Sequence, residues 1–139
     1  LPTNPKQRCV FIAGGIGITP FRSMIKYLLD TGQPRPITIF YVNKTVNDIV
    51  YPDVFDQARE RLGIPTIYSV TDQTKVPAAW QGKVGYITPQ LIEEAVPEYV
   101  KCIFYISGPK GMIDSFKEIL RQLHVKDSQI KTDLFAGLA

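Results

Sequence analysis

One histidine, two cysteines and no run of like charge: each scarcity in this sequence removes a class of function. The lone imidazole, His124, has no companion ligands for a metal centre, and it falls at the end of a helical pattern where it can face the dipole. Cys9 and Cys102 lack metal-ligand spacing and sit in apolar stretches that read as strands. They are expected as small core residues in a reducing compartment rather than as a disulfide, and no metal site is expected. Lys and Arg number 16 against 13 Asp and Glu, a formal charge of +3 without a basic cluster. That balance gives a nucleic-acid partner no support, and it mildly favours an anionic ligand. No apolar run is long enough to span a bilayer, and no charged-then-apolar leader opens the sequence. The expected location is cytoplasmic, or the cytoplasmic face of a membrane for an anchored parent protein.

What is present is ordinary in bulk and specific in pattern. The 139 residues, 45% of them hydrophobic, suffice for one domain with a sizeable core. The stretch Cys9 to Leu29 organises it. Val10 to Ala13 reads as a strand buried on both faces, and Gly14, Gly15 and Gly17 allow a tight turn without side chains. Thr19 is the expected N-cap of the following helix, with Pro20 at its first position, where a missing N–H costs nothing. Phe21, Met24, Ile25, Leu28 and Leu29 form one apolar stripe, and Gly32 can close the helix. A strand, a bare turn and a helix N-terminus together make an anion site, so Gly14-Gly15-Ile16-Gly17-Ile18-Thr19-Pro20 is a candidate pyrophosphate cradle.

The rest of the sequence repeats the strand-helix alternation. Residues Leu1 to Arg8 carry Pro2 and Pro5 without periodicity and read as a linker, leaving 9–139 as the domain. Ile37 to Val42 is a second strand, ending at Asn43 and Lys44. Pro52 opens a helix that Gly63 ends. Pro65 to Val70 is a third strand leading into Thr71-Asp72, and Thr74 to Gly85 is an irregular loop. Thr88-Pro89 starts a short helix through Val96. Tyr99 to Ile106 is a fourth strand, turning at Ser107-Gly108-Pro109 into a helix with Met112, Ile113, Phe116, Ile119, Leu120 and Leu123 on one side. Ile130 to Phe135 is a last strand. This alternation predicts an α/β fold: a doubly wound parallel sheet of five strands in the order 3-2-1-4-5, with helices on both faces. Ligands of such sheets bind at the strand C-termini where the winding reverses, between the first and fourth strands. The glycine turn and Ser107-Gly108-Pro109 flank that point.

Gly-Gly-Ile-Gly-Ile-Thr-Pro after a buried strand, with Ser-Gly-Pro-x-x-Met far downstream, resembles the pyridine-nucleotide half of the ferredoxin-NADP reductase family of flavoprotein reductases. The likeness runs from Cys9 to Gly137. It implies that Gly14, Gly15, Gly17 and Thr19 line the pyrophosphate, while Gly108, Pro109 and Met112 flank the nicotinamide ribose. It places Ser107 beside the nicotinamide, where the family more often has cysteine, and Phe135 over the flavin ring. It further implies that FAD or FMN is held mainly by a barrel domain upstream, and that hydride passes from nicotinamide to flavin and on to an electron acceptor the sequence does not name. The family reads its cofactor at the end of the third strand, where Thr71-Asp72 stands. A carboxylate repels a 2′-phosphate and accepts hydrogen bonds from a ribose diol, so NAD(H) is favoured over NADP(H). Lys44 is the counter-argument, since an ammonium could serve that phosphate. The alternative reading is a non-catalytic nucleotide-sensing or docking module of the same fold. An unrelated receiver or flavodoxin-like domain fits less well, because of the strand-end acids only Asp72 is well placed to hold magnesium.

Overall fold

The computed structural model describes residues 1–134, the last two through their backbone alone. Its centre is β1 (Cys9–Gly14), buried along its whole length. Successive side chains of a strand point to opposite faces, so Cys9, Phe11 and Ala13 enter one core while Val10 and Ile12 enter another. That two-sided burial is why the strand is an unbroken apolar run. β2 (Ile37–Asn43) and β5 (Ile103–Gly108) pair with it in parallel on either side. β3 (Thr66–Val70) lies beyond β2, and β6 (Ile130–Leu134) beyond β5.

The five expected strands keep their expected order, and a sixth corrects the count. β4 (Lys83–Val84) pairs with β3 at the sheet edge, giving β4-β3-β2-β1-β5-β6. Its two residues are both exposed, so no apolar signal marks it within the loop. A second correction concerns the fourth expected strand. Tyr99–Lys101 forms a 3₁₀ turn and β5 starts only at Ile103. Val100 is 52% exposed, so the apolar run beginning at Tyr99 belongs to that turn. Cys102 therefore sits just ahead of β5, buried all the same.

Helices α1 (Ile18–Thr31) and α2 (Pro52–Leu62) cover one face; α3 (Pro89–Ala95) and α4 (Lys110–Gln122) cover the other. α1 buries Ile18, Phe21, Ile25, Leu28 and Leu29. Each such side chain contributes about 1.5–3 kcal/mol on burial. Phe21 stacks on Phe11 with ring centroids 4.5 Å apart, fixing the helix over β1. Gly32 ends α1 in the left-handed region, and Thr88 Oγ1 caps α3 by accepting the Leu91 N–H at 3.2 Å.

Because all strands are parallel and Cys9 stands opposite both Ile37 and Ile103, their C-terminal ends form one rim. Gly14, Asn43, Val70 and Gly108 lie along it. The opposite rim is closed by residues 1–8 and the segments entering β5 and β6. There Gln7 Nε2 donates to the carbonyls of Arg8 and Lys101, Arg35 Nη1 donates to the Pro2 carbonyl at 2.8 Å, and Arg8 pairs with Glu98 at 2.6 Å. No helix of the described residues is long and apolar enough to cross a membrane.

Candidate functional site: a glycine-lined cleft at the C-terminal rim

The two expected turns do meet. A Cβ on Gly17 would overlap the carbonyl of Ser107 and the backbone nitrogen of Gly108, so the chains touch where only hydrogen fits. Gly15, at φ +54°, takes the left-handed conformation that lets β1 turn sharply. From there the path differs from the expectation. Gly15–Gly17 forms a 3₁₀ turn that winds directly into α1, so the helix starts at Ile18 with Gly17 as its cap. Thr19 is not the N-cap, and Pro20 holds the third helical position instead of the first. A first-turn proline is still tolerated because its missing N–H has no helical acceptor there. No side chain caps α1, and because the Ile18 N–H already donates to the Gly15 carbonyl, the end open to an anion is the 3₁₀ turn ahead of it, where Gly15 and Ile16 are exposed.

A cleft of about 510 Å³ opens above this turn. It gathers seven of the fifteen expected residues: Gly14 and Gly15 from the turn, Asn43 and Lys44 at the end of β2, Thr71 after β3, and Pro109 and Met112 around the start of α4. Backbone bonds hold the strand ends together, with Thr71 N–H donating to Asn43 O at 3.0 Å and Asp72 N–H to Lys44 O at 2.9 Å. Among its described lining residues Lys44 is the cation and Asp48 the anion. The Asp48 carboxylate already accepts from the backbone and hydroxyl of Thr45. Val50 closes the wall, its N–H donating to the hydroxyl of buried Tyr41 at 3.2 Å.

Other expected residues lie off this wall. Gly17, Gly108 and Ile18 are buried beneath it. Ser107 and Pro20 border a separate cavity of about 90 Å³, with Phe21 and Met24 on one side and Tyr105 on the other. Thr19 is exposed on α1. Asp72 faces its own loop: Oδ1 accepts from the Thr74 N–H at 3.0 Å and the Thr74 hydroxyl at 2.6 Å. Those bonds hold its carboxyl below the usual range and keep it charged. Phe135 lies outside the described residues.

Three buried polar side chains stand out. Ser69 donates to Gly85 O at 2.7 Å, whereas the amide of Asn43 makes no well-formed hydrogen bond, having only the Tyr41 hydroxyl near it, and the hydroxyl of Ser107 has no partner. A buried polar atom without a partner costs about 1–3 kcal/mol, so such atoms at a cleft are groups a ligand can satisfy. A glycine cradle, an uncapped helix end and these open hydrogen-bonding atoms fit a nucleotide joined by phosphates.

Sequence reasoning missed a neighbouring cavity of about 510 Å³, which shares Val42, Thr71 and Met112 with the first. Tyr86, 83% exposed, stands on its edge, opposite Phe116 and Ile119 of α4. The only signal for it is a lone aromatic after Gly85, in a segment without periodicity.

Comparison with known proteins agrees with this geometry. The profile of oxidoreductase NAD-binding domains matches residues 11–118. The chain belongs to that family. NADH-cytochrome b5 reductase 1 of Coccidioides immitis (strain RS) is 30% identical over 139 residues, covering 94% of this chain and 44% of that protein. The glycine betaine monooxygenase reductase subunit of Pseudomonas aeruginosa (strain UCBPP-PA14) is 23% identical over 117 residues, 84% of this chain and 32% of the relative. The flavohemoglobin of Malassezia yamatoensis, solved with FAD and heme bound, superposes with a TM-score of 0.80 at 19% identity, over 98% of this chain and 33% of its own. This oxidoreductase NAD-binding domain thus has the fold of the nucleotide half of ferredoxin-NADP reductase-type flavoproteins, and it spans less than half the length of the relatives named.

Proposed function

We propose that this NAD-binding domain holds NADH across the C-terminal rim and presents its nicotinamide for hydride transfer to a flavin bound by another part of the same protein. The observation that carries the reading is the pair of unpartnered buried groups, Asn43 and Ser107, on either side of a glycine turn. The pyrophosphate lies over Gly14 and Gly15 at the end of α1, which supplies partial positive charge. The adenosine half extends past Thr71 into the second cavity, where Tyr86 offers an aromatic face. At the other end, Ser107 Oγ hydrogen-bonds the nicotinamide carboxamide and fixes which ring face is presented. FAD or FMN, when bound, supplies the hydride acceptor, and electrons leave from it to a further acceptor. What these residues contribute is binding and orientation.

NADH is favoured over NADPH because Thr74 holds Asp72 ionised at the end of β3, where a 2′-phosphate would meet a second negative charge. A relative named for NADH supports the same choice. Titration calorimetry with both dinucleotides tests the reading: NADH binds more tightly than NADPH, and Asp72→Ala narrows the gap. Equal or tighter NADPH binding, unchanged in Asp72→Ala, contradicts the preference. No heat from either dinucleotide contradicts the site.

A further inference from the structure

One side chain touches both turns of the cleft. Met112 Sδ occupies the space a Cβ on Gly14 would need, and its Cε and Sδ lie over Gly108 in the same way. The same side chain lines both large cavities of the rim, so it forms part of the partition between them. It is half-buried, within reach of a small oxidant.

We propose that Met112 is a modification site at which hydrogen peroxide closes the dinucleotide cleft; the proposal rests on the nucleotide-binding reading above. The thioether sulfur attacks one peroxide oxygen, the O–O bond breaks and an S–O bond forms. Sulfur loses two electrons, peroxide gains them, and the departing hydroxide leaves as water with the remaining proton. The product is a polar, chiral sulfoxide in place of a flexible apolar group. Toward Gly14 and Gly108 there is no room for the added oxygen, because the thioether already fills that space. It therefore projects into the cavities, taking volume from the ligand. As an acceptor, it also competes with an anionic phosphate for N–H groups of the turn. Met24, the second methionine of the sequence, is the internal control: it is also half-buried but borders the small cavity near Phe21.

The test treats the 139-residue chain with hydrogen peroxide and follows Met24 and Met112 by peptide mass spectrometry. NADH affinity is measured by calorimetry before treatment, after it, and after methionine sulfoxide reductase. The expected result is a loss of at least about tenfold, or about 1.4 kcal/mol, that tracks the sulfoxide at Met112 and is reversed by the reductase. Met24→Leu shows the same loss. Met112→Leu keeps its own untreated affinity through the treatment. If Met112→Leu does not fold, Met24→Leu decides alone, since Met112 is then the sole methionine. Unchanged affinity with Met112 fully oxidised, or loss that tracks Met24, overturns this proposal alone. A chain that binds no dinucleotide before treatment overturns the functional reading, and this proposal with it.

Discussion

The two rims of the sheet share one backbone pattern and differ in how they use their side-chain amides. At the N-terminal rim, Gln129 Nε2 donates to the carbonyls of Val100 and Cys102 at 2.8 and 2.9 Å, and Gln7 ties Arg8 to Lys101. At the C-terminal rim, the corresponding amide of Asn43 is buried without a well-formed hydrogen bond. The first arrangement stabilises the fold; the second costs stability and leaves an opening for a ligand. Buried unpartnered atoms also occur at the N-terminal ends of the strands, at Arg35 Nε and Thr66 Oγ1, but at the C-terminal rim they lie beside the glycine turn that approaches Ser107 and Gly108 backbone to backbone.

The largest effect that sharpens this contrast is expected at Gly17. Gly17→Ala drives a Cβ into the backbone of Ser107 and Gly108, which cannot swing away, at a cost of about 3 kcal/mol in urea unfolding and loss of NADH binding. Gly14→Ala meets only the flexible end of Met112 and costs about 1 kcal/mol. Equal costs would mean that the turns are not held by backbone contact.

Next come exchanges that separate stability from binding. Gln129→Ala is expected to lower stability by about 1 kcal/mol and leave NADH affinity as it was. Asn43→Leu and Ser107→Ala remove buried unpartnered groups, so unfolding free energy stays level or rises by up to about 1 kcal/mol while NADH affinity falls fivefold or more, about 1 kcal/mol. A stability loss at Asn43 or Ser107 without an affinity loss would break the comparison.

The smallest effect is alkaline. Burial pushes the Cys102 thiol up to about 11 from its ordinary 9.0, so the folded state keeps a proton that the unfolded chain releases. The stability from that difference is whole below pH 9 and is lost as pH rises toward 11. The fall in Tm between pH 8 and pH 10 is therefore expected to be smaller in Cys102→Ala than in the parent; an identical fall contradicts the assignment.

Much of this architecture is legible in the residues alone. β1 and the stripes of α1 and α4 are readable because two-sided burial and helical periodicity leave apolar patterns that few alternatives share. β4 is not, since two exposed residues carry no period. Thr19 reads as a cap because its type and the following proline fit one, yet the glycine segment is already helical and moves the start to Ile18. Within the site, the glycines announce the cradle and the strand ends announce Asn43, Lys44 and Thr71. Tyr86 gives no such notice, because its place in the cleft depends on a loop path that only the folded chain defines. Asp72 shows a further limit: its residue type suggests a ribose partner, while its neighbour Thr74 occupies one carboxylate oxygen.

Backbone amide shifts of the labelled chain, recorded as NADH is added, test the central claim most directly. Gly14 to Thr19, Asn43, Lys44, Thr71 and Ser107 to Met112 are expected to move together, while Gln7, Arg8, Lys101 and Gln129 stay still. Shifts centred on the latter group, or none at saturating dinucleotide, would contradict a ligand site at the C-terminal rim.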